Sequence, residues 1–230
     1  MSEIHLYDRF QEFPLFQGLK EKDLMNIISE TKLDFRKVCK DKNVVREGDK
    51  CDSLCLLLDG TICQETPSID RSYIVFEYFT APTVICFDSV FGTTLRYRSS
   101  VSARTDVSCV AIRRKDIVNM TAEYDTIRFN VLNTLAINCR KMGRSIWGPA
   151  PVTLRGWIER FIVAHCSYPA GEKKLKIKMD TLAEEINASR LAVSYELNAM
   201  ESEGLIRRGR GFFTVPKLER LISDTNKGGK

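Results

Sequence analysis

Residues 184–215 read EEINASRLAVSYELNAMESEGLIRRGRGFFTV, a helix-spaced apolar rhythm followed by a polar break and an arginine-rich turn. Asp180 or Thr181 is placed to cap a helix with Glu184 in its first turn, a capping-box arrangement that sets a carboxylate at the positive helix end. Asn187-Ala188 interrupts that helix after Ile186, and Ser189 can cap the next. In the second helix Val193, Leu197 and Met200 follow the i, i+4, i+7 pattern of an inward face. Ser189, Arg190, Leu191, Ser194, Tyr195 and Asn198 are left pointing outward near its start. Two short strands turning at Gly209 and Gly211 then form a basic wing with Arg207, Arg208 and Arg210. Helix, break, helix and wing in this order describe a winged helix-turn-helix, whose second helix enters the DNA major groove with its early residues on base edges. Arg190 is the natural base reader, because a guanidinium matches the two acceptors of guanine. The wing arginines suit phosphates, which supply affinity and salt sensitivity rather than sequence choice.

Upstream of this stretch, LKIKM sets Lys176 and Lys178 outward against Leu175, Ile177 and Met179 and predicts a strand pair, and LRGWIERFIVAHC predicts an amphipathic helix. The run Gly148-Pro149-Ala150-Pro151 reads as a hinge, since proline cannot continue a helical ladder. Before it, from about residue 116 to 147, the pattern is helical. Leu132, Cys139 and Ile146 recur every seven residues, with Leu135 and Met142, or Ala136 and Gly143, between them, a heptad seam suited to a homodimer. From about 31 to 115 the apolar runs SLCLLL, YIVFEYF, TVICF and VSCVAI alternate with turn signals, as in a β-roll. Asp59-Gly60 is the clearest hairpin signal among them. Leu19, Leu24, Ile27 and Ile28 predict a helical lead-in.

The expected class is therefore α+β, with an antiparallel β-roll over 1–115, a dimerisation helix over 116–147 and a winged helix-turn-helix over 148–230. The bulk properties agree. The 230 residues are 43% hydrophobic and 28% charged, ordinary globular values. Of the Lys and Arg residues 14 lie from Gly148 onward against 10 Asp and Glu, leaving 21 against 20 before it, so the net charge of +5 sits mostly where a phosphate-bearing partner would bind. With no long apolar run and no signal-peptide pattern at the start, the chain reads as cytoplasmic, without a membrane partner. The 8 cysteines, scattered and lacking CxxC spacing, read as buried thiols rather than a zinc site, and no metal is expected. With only 2 histidines and no nucleophile-base signature, the sequence does not describe an enzyme.

The order of roll, helix, hinge and winged helix resembles the CRP/FNR family of bacterial transcription factors, named for the cyclic-AMP receptor protein and the fumarate-nitrate reduction regulator. Its sharpest marks are SRLAVSYELNAMESEGLI at 189–206 and VVREGDKCDSLCLLLDGTI at 44–62. The resemblance implies a homodimer on a two-fold-related site in double-stranded DNA near promoters, with RNA polymerase as a further partner. It assigns Ser189 to phosphate, and Arg190, Leu191 and Tyr195 to the three base-reading positions. Only Arg190 matches the cyclic-AMP branch, where Leu191 would be glutamate and Tyr195 arginine, so a different half-site is expected.

In members that bind cyclic nucleotides, a Gly-Glu pair takes the ribose and an Arg-Ser pair the cyclic phosphate. The corresponding stretch is VICFDSVFGTTLRYRSSVSA at 84–103. Asp88 replaces the glutamate, and Phe87 stands where glycine would let the backbone approach. Arg98-Ser99 is the candidate phosphate pair, shifted by one residue. Arg140 and Lys141 fall where cyclic-AMP binders carry a Thr-Ser pair for adenine. These departures argue against cyclic AMP, although Arg96, Arg98, Arg140 and Lys141 suit another anion. Two other sensors fit the fold: haem, with His5 or His165 among the axial candidates, and a thiol switch at Cys139, which a parallel seam would bring near its symmetry mate. An effector would shift the hinge near Gly148 and respace the recognition helices. The reading from another class is a ligand-binding module that regulates no DNA.

Overall fold

The computed structural model describes the backbone of residues 3–147 and 149–225 and the side chains of residues 6–140 and 149–222. Gly148, and the side chains of His5, Lys141, Met142 and Ile146, lie outside these. The chain divides into two compact units, Met1–Cys63 with Phe79–Lys141, and Gln64–Tyr78 with Met142–Lys230.

The first unit opens with helices α1 (Glu3–Gln11) and α2 (Glu21–Glu30), the latter burying Leu24 and Ile27 as their spacing predicts. Strands β1 (Asp34–Val38), β2 (Asn43–Val45), β3 (Ser53–Asp59) and β4 (Thr61–Pro67) follow, then β5 (Tyr73–Thr80), β6 (Thr83–Ile85), helix α3 (Phe87–Phe91), β7 (Ser100–Ala103) and β8 (Val107–Arg113), of which Gln64–Tyr78 in β4 and β5 belong to the second unit. An antiparallel sheet runs in the order β1-β8-β3-β6, and β2 pairs with β7. Central β3 is covered on both faces, which is why SLCLLL is a continuous apolar run rather than an alternating one.

Asp59-Gly60 differs from the hairpin its sequence suggests. Strand β3 lies between β8 and β6, whereas β4 lies next to β5, so the turn carries the chain from one sheet to the other. Gly60 is required there: its φ is +91°, and a Cβ would stand 2.5 Å from the Asp106 carbonyl oxygen.

Past β8 the expected single helix is two, α4 (Arg114–Glu123) and α5 (Asp125–Trp147), separated by Tyr124 in an extended conformation. Ile117, Met120, Ile127 and Val131 all reach the same core. Because their spacing stays in phase across Tyr124, periodicity alone does not reveal the break. On α5, Ile127 and Val131 are buried and Leu135 packs partly against the core, while Phe129, Leu132 and Ile137 are 61%, 54% and 53% exposed. Cys139 is exposed as well.

The second unit comprises α6 (Leu154–Ala164), β9 (Lys173–Ile177), α7 (Met179–Glu185), α8 (Arg190–Ser202), β10 (Arg207–Gly209), β11 (Phe212–Val215) and α9 (Leu218–Thr225). Of LKIKM, Leu175–Ile177 lie in one strand, not two, and Lys178 and Met179 already open α7; β9 pairs with β11 on one edge and with β5 on the other. Ile158, Ile162, Leu175, Val193, Met200 and Val215 form the core of this unit, and Tyr73 and Val75 from β5 join it.

Candidate DNA-binding face and effector cassette

The turn between α7 and α8 is set by local chemistry. Asn187 takes a positive φ of 52°, a conformation asparagine tolerates, and the N–H of Ala188 closes on Ala183 O at 2.9 Å. Ser189 caps α8, its hydroxyl accepting from the N–H of Ala192 at 3.2 Å. The expected cap of α7 is not formed. The helix begins at Met179, two to three residues earlier than those caps require, so its N-cap is Lys178 without a side-chain bond, and Asp180 falls inside the first turn. There Asp180 still faces the positive helix end, and it lies 3.4 Å from Arg190 across the turn. Both side chains are well exposed, so this pair holds Arg190 only weakly.

Val193, Leu197 and Met200 are buried, and each contributes about 1.5–3 kcal/mol towards anchoring α8. On the opposite face Leu191 and Tyr195 are 81% and 77% exposed, with Ser189, Arg190 and Asn198 also exposed. Ser194 is half-buried and stands at the edge of that face rather than on it. Asn198 is already engaged: its side-chain oxygen accepts from the guanidinium of Arg208, whose backbone N–H donates to Glu201 Oε1 at 2.7 Å. Asn198 and Arg208 therefore tie the wing to α8, leaving Arg207 and Arg210 exposed on the wing.

The wing turn depends on its glycines. Gly211 has φ +79°, and a Cβ on Gly209 would stand 2.2 Å from the Phe212 ring. Lys174 caps the other side of that ring at 4.2 Å from its centroid.

One scaffold residue carries no sequence signal. Arg155 on α6 donates from Nε to Glu196 at 2.7 Å and, through both terminal nitrogens, to the two carboxylate oxygens of Glu203 at 2.7 Å each. This fork joins α6 to the middle of α8 and to its C-cap. The guanidinium bonds hold the Glu203 carboxyl below its ordinary value, and the same carboxylate pushes the Arg155 pKa up.

In the first unit the cassette residues differ in burial. Phe87 is buried in the core, its ring centroid 5.4 Å from that of Phe91, and Ser99 is buried too. Asp88, Arg96, Arg98 and Arg140 are exposed. Arg96 donates to Gly48 O at 2.6 Å, tying two loops together. Tyr97, beside the candidate Arg98, is buried with its hydroxyl pKa raised by desolvation.

His165 is engaged at both ring nitrogens. Nδ1 lies 2.7 Å from Phe161 O and must donate to it, and Nε2 lies 2.8 Å from the Tyr73 hydroxyl. It closes the end of α6 with both ring nitrogens engaged. Cys166 beside it and Cys86 in the roll have thiol pKa values pushed up to about 12 by burial, so neither is a reactive thiolate. Among the described residues no group of three or more His, Cys, Asp or Glu is placed to hold a metal ion, and no helix is long and apolar enough to cross a membrane.

No curated protein matches the chain at a significant level. Among solved structures it resembles the Thermus thermophilus catabolite activator protein at 19% identity and a TM-score of 0.50, over 94% of this chain and 99% of that one. It also resembles the sensor domain of the transcriptional regulator DNR from Pseudomonas aeruginosa at 16% identity and 0.53, over 66% of this chain and 97% of that one. These likenesses concern the fold. The family model for a cyclic nucleotide-binding domain matches residues 35–124, and that for a Crp-like helix-turn-helix domain matches residues 158–223. Helix-turn-helix regulators of this kind bind DNA, typically as dimers, and are not enzymes. With both models matched in that order on one chain, the protein belongs to the CRP/FNR family of transcription regulators.

Proposed function

We propose that the protein is a homodimeric, sequence-specific regulator of transcription, gated by an effector other than cyclic AMP. The carrying observation is the outward face of α8. A leucine 81% exposed and a tyrosine 77% exposed stand beside Arg190 on a helix whose other face is anchored, a costly surface unless it meets a partner. Arg190 reads guanine, Leu191 offers an apolar contact such as to a thymine methyl, and Tyr195 offers one hydroxyl. Ser189, Arg207 and Arg210 contact phosphates. Phe129, Leu132 and Ile137, exposed on α5, support the dimer seam, which would place two recognition helices about 34 Å apart, one turn of DNA. The engagement of RNA polymerase by the bound dimer completes the reading.

The test is selection of duplexes from a random library by the purified protein, followed by gel retardation. A recovered two-fold-related site is expected; failure to enrich any sequence would overturn the reading in favour of a ligand-binding module. For the effector, the burial of Phe87 and the exposure of Asp88 and Arg98 support a ligand other than a cyclic nucleotide. Calorimetric titration with cyclic AMP and cyclic GMP should give no saturable heat, and micromolar binding would reverse that statement. A second reading, a thiol switch, rests on the exposed Cys139 at a seam position. Non-reducing gels after peroxide treatment should then show a covalent dimer that Cys139→Ser abolishes.

A further inference from the structure

The segment Gln64–Tyr78 is flanked on both sides by chain of the first unit, yet it belongs to the second. Its strand β5 adds to the free edge of β9 in antiparallel register, Tyr73 opposite Ile177 through Glu77 opposite Lys173. Counted from the wing, the sheet thus reads β10-β11-β9-β5 and continues through β4 and β7 to β2. The addition is more than backbone pairing. Tyr73 and Val75 are buried within the core of the DNA-binding unit, and the Tyr73 ring meets that of Phe161 edge-on at 5.3 Å.

At the end of the register lies a closed polar cluster. The Lys173 ammonium donates to Glu77 Oε1 at 2.9 Å, the two side chains being 0% and 1% exposed. Glu77 also accepts the backbone N–H of Ser167 at 2.8 Å and that of Tyr168 at 3.2 Å. The Glu77 carboxylate therefore organises the loop between α6 and β9 as well as neutralising a buried cation. A buried pair of this sort contributes little net stability compared with apolar replacements, but losing one partner strands the other's charge in the interior. It is a discriminating contact: closed when β5 is docked, strongly unfavourable when half present.

We propose that Glu77 is a positioning residue for DNA binding, and that β5 is a detachable fourth strand whose docking on β9 is linked to the DNA-competent state of the winged helix. The proposal rests on the DNA-binding reading above. Because the hairpin continues covalently into the first unit at Cys63 and at Phe79, any event there that tugs β5 from β9 would reach the wing through this strand. By linkage, DNA that prefers the docked form must in turn hold β5 down.

The test uses the full-length protein and a duplex that it has selected. In hydrogen exchange, adding the duplex should slow the β5 amides around Ile74 and Phe76, although these lie outside the helix-turn-helix; unchanged exchange there would overturn the proposal and needs no variant. Glu77→Gln, which removes the carboxylate charge facing the buried Lys173 ammonium, should lower affinity for the duplex by on the order of 10- to 100-fold. The double variant Glu77→Leu with Lys173→Met should recover part of that loss, since the Ser167 and Tyr168 N–H groups still lack their acceptor. Ile74 and Lys176 are opposite in the register, so an Ile74→Cys, Lys176→Cys cross-link in the Glu77→Gln background should restore affinity on oxidation and lose it on reduction. Wild-type affinity in folded Glu77→Gln would overturn the proposal while leaving the DNA-binding reading intact. If the wild type selects no duplex at all, it is the functional reading that fails.

Discussion

The recognition helix and the cassette around α3 present similar ingredients, an aromatic residue, an arginine and a serine within a few positions, and the fold puts them to opposite uses. On α8 the apolar anchors Val193, Leu197 and Met200 are spent on the core, leaving Arg190, Leu191 and Tyr195 outside. In the cassette the aromatic is itself the anchor: Phe87 is buried beside Phe91, and Asp88 next to it is exposed. A helix of 13 residues has enough turns to keep an anchoring stripe and a contact face apart, whereas α3 has 5 and must give its large side chain to one side.

The most severe break of this comparison is a pair of truncations. If Phe87 is a core residue, Phe87→Ala should cost about 3–5 kcal/mol in urea unfolding, comparable with the about 2–5 kcal/mol of Leu197→Ala on the other side. A near-neutral Phe87→Ala would instead mark the cassette as an open site that the phenylalanine merely fills. Next in size, Arg190→Ala should cost about 1–3 kcal/mol against the selected duplex and erase the preference for it over scrambled DNA. Arg207→Ala should weaken all duplexes alike and reduce the salt slope by about 1. Equal effects of the two would mean that α8 does not read bases.

Smaller again is the Arg155 fork, which is partly open to solvent. Arg155→Met should destabilise the second unit by about 1–2 kcal/mol and soften its grip on DNA without changing sequence preference. Glu203 sharpens the same point through pH. Its folded carboxyl is lowered by Arg155, so its contribution is full above the ordinary carboxylate value and is lost as pH falls through the folded one. Wild-type stability should therefore drop on the acid side by less than about 1 kcal/mol more than that of Arg155→Met, measured by thermal unfolding across pH. The slightest effect is chemical: in the native protein a maleimide should label Cys39 and Cys139, the exposed thiols, well before Cys86 and Cys166. Fast labelling of Cys86 would show that the cassette opens.

Much of this was legible in the residues themselves. Helix periods, the Ser189 cap, the turn at Asn187 and the wing glycines are matters of a few neighbouring residues, and local sterics and capping decide them wherever they occur. Phe87 was legible only as a departure from a ligand-binding pattern; its inward rotamer depends on the core above it. The in-phase spacing across Tyr124 hid the helix break, and the Asp59-Gly60 signal marked a turn without saying which strands it would join. The pairing of β5 with β9 and the closing of Glu77 on Lys173, 96 residues apart, have no sequence signature at all. The sequence by itself determined the order of roll, helices and winged helix, and which residues α8 anchors in its core, because those follow from short-range periodicity and turn chemistry. Only the tertiary structure decided that a hairpin of the roll completes the DNA-binding unit, because strand pairing and a buried ion pair are settled by which distant edges and charges must leave water together.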